Sequence, residues 1–570
     1  MSSKDRRPYL TASVLDQALL DDCADNFETR IEMVVDIERP DGGYIYASDR
    51  NKYVGGTFYE ALLTFPTITR TVGEWLSPTL QFSTVTLELS NADGRFNQYL
   101  PGGANYDSFI GRTIEVKIGL AEEASTYTKI FSGKITEVGG FSRSTYSVTF
   151  IARDLYEKFS VTFPRTTLSR SVYPYLEDNY AGKILPVIYG DWTASTDPDP
   201  AIVPVYILNG LDPLVISGPE NSRLNLRCRV AEHDLSYFDT SGVYLFKSDI
   251  WWNVPSADIV LDANNNTFEL DQHTSHTWYD GKKYLYEKGD QFFCRVKGKD
   301  LGAYDDNIIS QAKDILLTYG GAVSGDFDSN WDTYRDKASP AQSNIAGIKS
   351  RIWENELKPV IEYVLSLLEQ VRLEAFIDKN LKLKINSLHF EDWNASPSFT
   401  VKNWDIVEKS FKPKTDERNN FNRAQASFDF HPNRNEQAQV SPIYRNEDSF
   451  NQIGRYISKR IGFPNLYIGS DAANQLIEIL RISSSLFEIV DCSLTWRSLL
   501  LDVGEFVKLN VLIGSTMYEN VPAMIRSKGY DPQGIQLPTT LWSLQLLPYP
   551  GYTPGYNGTV GGYTQMITQE

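Results

Sequence analysis

Residues 84–120 read TVTLELSNADGRFNQYLPGGANYDSFIGRTIEVKIGL. Val85, Leu87 and Leu89 alternate with Thr84, Thr86 and Glu88, the period-two pattern of a strand with one buried and one wet face. Asn91-Ala92-Asp93-Gly94 then breaks the strand, because glycine accepts positive φ and Asn and Asp close turns on their own backbone. Beyond a polar loop, Ile114, Val116 and Ile118 alternate with Thr113, Glu115 and Lys117 as a second half-buried strand. Two such strands are not stable alone, so the flanking segments must complete a sheet.

They carry the same pattern. Upstream, RIEMVVDI at 30–37 reads as a strand, Asp41-Gly42-Gly43 as a turn, and Tyr44-Ile45-Tyr46-Ala47 as the return. Residues 53–69 continue in β pattern, with Gly55-Gly56 as a turn or bulge. Downstream, TKIFSGKIT at 128–136 and YSVTFI at 146–151 add two more strands. So many strands with turns at short intervals predict a β-barrel or sandwich. Residues 12–28 are expected to form a short amphipathic helix or an irregular arm.

Residues 152–180 form a crossing segment with Arg153-Asp154-Leu155 and the tyrosines Tyr173, Tyr175 and Tyr180. GKILPVIYGDW at 182–192 opens a second β-rich region, with short strands expected at 201–208, 224–230, 243–246, 258–261 and 292–296. The period then changes. Ile308, Ile309, Ala312, Ile315 and Leu316 share one face of a helix over 305–318. A second helix is expected over 356–370, with Pro359 in its first turn where no N–H is needed. A hairpin follows, 372–377 with 381–385, turning at Asp378-Lys379-Asn380. Further strands are expected at 421–430, 488–496, 504–512, 523–527 and 541–546. A helix is possible within 446–460, and another is expected over 471–483 with Asp471 near its N-cap. The segment from 549 is rich in Gly, Tyr and Thr and reads as an extended, poorly ordered or partner-docked arm.

At 570 residues, several domains are expected. Aromatic residues make up 13%, and turn residues punctuate the whole chain, favouring β-rich domains. The formal net charge of −18 argues against tight, sequence-independent binding of nucleic acid, which needs clustered cations on phosphates. A passage lined with acidic groups would let DNA slide without sticking. Cys23, Cys228, Cys294 and Cys492 are far apart and form no CxxC pair, so they read as reduced structural thiols. The N-terminus has basic residues without an apolar core, unlike a secretory signal. No stretch approaches the roughly 20 apolar residues of a membrane span.

Catalytic patterns are scarce. His273 and His276 form an HxxH without a zincin glutamate, and read as loop residues rather than zinc ligands. There is no GxSxG elbow and no Walker A loop. The acidic pairs Asp21-Asp22, Glu122-Glu123 and Asp305-Asp306 read as solvated faces in so acidic a chain, not glycosidase dyads. Asp326 and Asp328, near Asn330 and Asp332, lack the glycine and closing glutamate of an EF-hand. Asn265-Asn266-Thr267 is formally a glycosylation acceptor and reads as a turn. Trp251-Trp252 and the tyrosine-rich arm fit a protein interface better than a carbohydrate groove. No catalytic, cofactor-binding or metal-binding residue is assigned, and no cofactor is expected.

Four stretches together resemble the tail hub, or baseplate hub, proteins of tailed bacteriophages and gene-transfer agents. The opening stretch, with KIFSGKITEV and YSVTFIARDLYEKF, resembles the first barrel of that family. GKILPVIYGDW is similar to the entry into its second domain. NIISQAKDILLTYGG with ELKPVIEYVLSLLEQVRLEAFIDKNLKLKI is similar to its helices and hairpin. SFNQIGRYISKRIGFPNLYIGSDAANQLIEILRIS with LLLDVGEFVKLNV resembles the part that closes its last barrel. The order and spacing of these stretches carry the resemblance; no single one is decisive, and no lysozyme or peptidase module is visible.

The resemblance implies a mainly β, multidomain fold: two tube-like β-barrel domains around an α+β middle with mixed insert domains. On that reading residues 1–160 are the first barrel with its arm and 161–300 a β-rich insert. Residues 301–420 hold the helix and hairpin, part of the second barrel. A mixed segment with a helix spans 421–487, closing strands 488–548, and the C-terminal arm 549–570. The resemblance further implies a non-enzymatic virion protein at the tail tip, made in the host bacterial cytoplasm. It implies a homotrimer adapting a six-fold tail tube to a three-fold spike or central fibre. The implied partners are further copies of the chain, the tube or distal tail protein, the spike or fibre, and a baseplate wedge or tape measure protein. DNA would pass through without specific binding. The rival readings are a receptor- or carbohydrate-binding tail protein, with an exposed aromatic cleft, and a polysaccharide-cleaving enzyme with two carboxylates in a groove.

Overall fold

A computed structural model of the chain describes residues 31–64, 68–71, 83–100, 103–105, 107–120, 127–142, 146–154, 159–193, 201–218, 223–272, 277–279, 282–336, 347–378, 382–389, 399–416, 420–484, 487–495, 498, 501–513, 516–530, 537–543 and 567–569. The expected helix or arm at 12–28, the His273 and His276 pair, Cys23 and most of the arm from 549 lie outside them. The fold is mainly β, built from several sheets and domains.

Ten strands come from the first part of the chain: β1 (Ile31–Glu38), β2 (Tyr44–Ser48), β3 (Lys52–Val54), β4 (Thr57–Ala61), β5 (Leu63–Thr64), β6 (Ile68–Thr71), β7 (Thr84–Ser90), β8 (Thr113–Leu120), β9 (Thr128–Ser142) and β10 (Ser147–Asp154). Nine of them form one sheet in the order β3-β4-β2-β1-β8-β9-β10-β7-β5. The alternation in the sequence is the alternation in space. Val85, Leu87 and Leu89 of β7, and Ile114, Val116 and Ile118 of β8, all point into one core. At the break after β7, Gly94 has φ +75°. The Asn91 side chain accepts from Phe96 N at 2.9 Å and Asp93 accepts from Arg95 N at 3.1 Å, so the turn is closed by the side chains its sequence promised.

The last part of the chain builds a second large sheet. Its strands run Phe399–Lys402, Phe506–Ile513, Thr516–Tyr530, Leu537–Ser543, Phe487–Leu494 and Lys412–Asp416. The seventh strand is β6, from the other end of the chain. It pairs antiparallel with Thr516–Tyr530, Ile68 opposite Tyr530 and Thr71 opposite Ser527. The two sheets share one core, in which Met33, Val35 and Val116 join Val490, Leu509 and Ala523, all buried. The two ends of the chain therefore pack on one another through a common core.

Between them lie two further cores. The insert is a pair of four-stranded sheets. One holds Gln291–Lys297 beside Tyr237–Lys247, and the other holds Leu226–Arg229 beside Thr267–Leu270. Cys228 and Cys294 are buried in its core. Burial pushes the Cys228 thiol far above its ordinary range, which suits an inert structural role. Asn265, with φ +57°, is the turn residue before Thr267, so the formal acceptor is a turn.

The mixed domain packs the helices Ile308–Thr318, Val360–Gln370 and Gly469–Ser483 on one core. Asn307 caps the first, its side chain accepting from Ile309 N and Ser310 N. The second starts four residues later than expected, at Val360, so Pro359 is its N-cap rather than part of its first turn. The third begins at Gly469, and no side chain caps it. Asp471 instead accepts from Lys349 N at 3.1 Å and ties in a distant loop. A four-stranded sheet completes the domain, Ser458–Phe463, Arg423–His431, Glu436–Asn446 and Ile567–Gln569. The end of the C-terminal arm is thus a strand on its own chain.

The hairpin departs from expectation. Leu373–Ile377 and Leu383–Ser387 pair with each other, Leu383 also bridges Phe327, and neither strand is part of the seven-stranded sheet. Leu373, Ala375, Ile377, Leu383 and Ile385 belong to the helical core, whereas Phe376 reaches the core of the two large sheets. The hairpin is a wedge between two cores, held by a 2.5 Å ion pair from Arg526 to Glu374. The strands that do extend the second sheet, Phe399–Lys402 and Lys412–Asp416, were not foreseen. No helix among the described residues is long and apolar enough to cross a membrane.

Candidate assembly interface

The outer face of the first sheet is built from the residues of β1 that alternate with its core positions. Glu32, Val34 and Asp36 point away from Met33, Val35 and Ile37. Neighbouring strands bring cations to the two carboxylates. Lys52 donates to Glu32 at 2.8 Å, and Arg50 pairs with the same carboxylate. Lys117 donates to Asp36 at 2.5 Å and Tyr59 donates to it at 2.9 Å. Glu115 is paired with Lys129. Burial pushes the Tyr59 phenol well up, and the Asp36 charge adds to the shift, so the hydroxyl stays a donor. Asp36 lies directly opposite Glu115 across the strand pair, and Lys117 and Lys129 relieve the repulsion between the two carboxylates.

Beside this ladder lies an aromatic rim. Tyr44 and Tyr46 stack with ring centroids 6.0 Å apart, and Tyr46 meets Tyr59 edge-on at 5.4 Å. The Gly55-Gly56 turn sends β4 back against β3, so that Tyr53 and Phe58 face each other directly, centroids 5.1 Å apart. Tyr53 is 69% exposed, Tyr44 51% and Phe58 41%. β3 is an edge strand of the sheet. An edge carrying exposed aromatic rings is a surface suited to a protein partner: flat, rigid and apolar with polar tips.

The residues singled out for other chemistry are placed differently. Trp251 and Trp252 lie on the edge strand Ile250–Asn253 and do not line a groove together. Trp251 packs on Phe246 and Phe293, at 4.7 and 5.1 Å, while Trp252 packs against the insert core. The Asp326 carboxylate accepts from Val323 N at 2.8 Å and Asp328 accepts from Asn330 N at 2.9 Å, so both serve the local backbone. No group of three or more metal-ligating side chains occurs among the described residues.

One buried charge cluster was not foreseen. Arg351 lies between the rings of Trp192 and Tyr467, 4.6 and 5.0 Å from their centroids, and pairs with Asp429. Asp429 also accepts from Gln439 at 2.9 Å and contacts His431 Nε2 at 3.1 Å. Burial opposes ionisation of Asp429, but the His431 hydrogen bond and the Arg351 charge outweigh it and hold the carboxyl below its ordinary range. Trp192 belongs to the insert, Tyr467 and Asp429 to the mixed domain, so the cluster pins two domains together. Arg351 also borders a cleft of about 750 Å³.

The sequence matches no established family profile and no curated protein. Among solved structures it is similar to a tail protein from Neisseria meningitidis MC58, at 9% identity over 90% of this chain and 98% of that one, TM-score 0.41. It is similar to the 43 kDa tail protein of prophage MuSo2 from Shewanella oneidensis, at 10% identity over 90% and 98%, TM-score 0.39. A third likeness is to a chain of the native gene transfer agent virion, at 14% identity over 57% and 94%, TM-score 0.20.

Proposed function

We propose that the chain is a structural, non-enzymatic component of a phage-like tail, the hub at its tip. The observation that carries the reading is the joining of two large sheets by one chain. Residues 31–154, 399–416 and 487–543 share a core, and β6 of the first part pairs into the second sheet. A ring of such chains would present two sheets per copy, as a three-fold adaptor to a six-fold tube requires. The sequence resemblance points the same way. Heterologous contacts that close into a ring cover strand edges, and the aromatic β3–β4 edge is a surface such contacts would use. The acidic balance fits a lumen through which DNA slides. The partners on this reading are two further copies, the tube or distal tail protein, a spike or central fibre, and a wedge or tape measure protein.

The test is the mass and symmetry of the purified chain, by native mass spectrometry and negative-stain imaging. The reading expects a particle of three 64.6 kDa chains with a central pore. Poreless monomers that stay monomeric with co-expressed tail proteins would sink it.

A further inference from the structure

The cleft of about 750 Å³ that Arg351 borders is walled by the helix Val360–Gln370, the strand Ser458–Phe463 and residues 353–358. Its size falls in the roughly 300–1,000 Å³ range of ligand clefts. Two rings form one part of the wall. Trp353 and Phe430 stack with centroids 6.2 Å apart and planes at 25°. Both stay partly exposed, so they offer a flat apolar platform inside a polar cleft.

The charges around that platform are balanced. Arg351, Lys358, Lys459 and Arg460 bring four cations to the lining. Glu354, Glu356, Glu362 and Glu369 bring four carboxylates. Part of the set is held within the protein: Lys358 donates to Glu354 at 2.8 Å, and Arg351 pairs with Asp429. Glu362 and Arg460 stay exposed at the cleft. The amides of the wall are fixed as well. Gln370 donates to Asn465 Oδ1 at 2.9 Å, and Asn465 donates to Arg351 O at 3.2 Å. The lining is a fixed array of donors and acceptors with no net charge.

That balance decides among ligand classes. A polyanion would set its charges against four carboxylates, and a polycation would set its own against four cations. An apolar molecule would strip water from the charged groups and return no hydrogen bond. A sugar meets neither cost. Each hydroxyl both donates and accepts, so it can serve a carboxylate and a cation at once. The C–H face of a pyranose ring is flat and apolar, like the platform. We propose that this cleft binds a neutral oligosaccharide, with one pyranose ring on Trp353 and Phe430 and its hydroxyls bonded to the charged lining. The site does not depend on the tail reading, and it shares no lining residue with the β3–β4 rim.

The test uses the full chain, with cellohexaose, maltohexaose and chitohexaose as probes, followed by calorimetry and tryptophan fluorescence. At least one of the three is expected to bind, at one site per chain. Because the ligand is uncharged, raising NaCl from ~0.05 to ~0.5 M should change its affinity by less than about twofold. Hexalysine and hexaglutamate should bind more weakly or not at all. Trp353→Ala should weaken sugar binding by about tenfold or more, whereas Trp251→Ala on the insert should leave it unchanged. Trp353 also packs against the insert core. If its variant does not fold, Ser366→Trp decides, since it sets a bulky ring in the cleft from an exposed helical position. That variant should abolish binding with the circular dichroism unchanged. Failure of all three sugars, tighter binding of either peptide, or sugar binding that survives Ser366→Trp or is unchanged by a folded Trp353→Ala would overturn the proposal.

Discussion

Arg351 and Asp429 lie 78 residues apart, and each is almost wholly buried. Removing one partner of such a pair leaves an unpaired charge in the interior. Asp429 has φ +62°, a conformation asparagine accepts, so Asp429→Asn changes the charge and spares the backbone. It should cost about 3–5 kcal/mol at pH 7 in urea unfolding. The folded-state pKa is depressed, so the stabilisation is present above the ordinary carboxylate range and is lost as pH falls through the folded value. The gap between wild type and variant should therefore narrow on acidification below pH ~4. Nothing local announces this pair. Asp429 sits in SFDFH, where alternation reveals a strand but not which strand face meets a distant guanidinium. Gly190 lies near the end of GKILPVIYGDW. It has φ +78°, and an added Cβ would lie 2.4 Å from Ser350 O. Gly190→Ala should cost about 2 kcal/mol or more, read as a lowered melting temperature.

The elements best read from the sequence were those whose pattern is long enough to show a period. β1, β7, β8 and the three helices fall where alternation or helical spacing put them, within a few residues. β6 and the strands Phe399–Lys402 and Lys412–Asp416 did not announce themselves as a joint. Each has only four or five residues, too few to display a period, and they are fixed by the strands they dock against. The hairpin was legible as a hairpin, but its place was not, since both its faces are buried and neither identifies a sheet. β6 carries a testable consequence. Ile68 is fully buried in the shared core and lies opposite Tyr530. Ile68→Ala should cost about 2–4 kcal/mol. Hydrogen exchange should quicken at Gly529 and Tyr530, across the strand pair, before it does in the insert.

For the whole molecule, aromatic content and turn density indicated β-rich domains. Which surface meets a partner was not legible, because Tyr44, Tyr53 and Phe58 look in the sequence like any half-buried strand residues. Their exposure singles them out, with Tyr53 on the edge strand β3 and Phe58 beside it on β4. Tyr53→Ser with Phe58→Ser should leave the melting temperature of the isolated chain nearly unchanged, within ~0.5 kcal/mol as for surface sites. The same variant should lower the assembled fraction seen by native mass spectrometry. An unchanged assembled fraction would move the interface elsewhere on the molecule.

The core shared by residues 31–154 with 399–416 and 487–543 also sets an order of events during synthesis. At ~5–20 residues per second, the first sheet leaves the ribosome roughly 20–80 s before the strands that cover it exist. For that interval its apolar face is wet or borrowed by another molecule, while the insert and the helical domain fold in between. Such non-local pairing is slow to form and prone to capture by neighbouring chains. Refolding yield should accordingly fall steeply with protein concentration, and the cell that makes this chain must shield an unfinished half-core until its far end arrives.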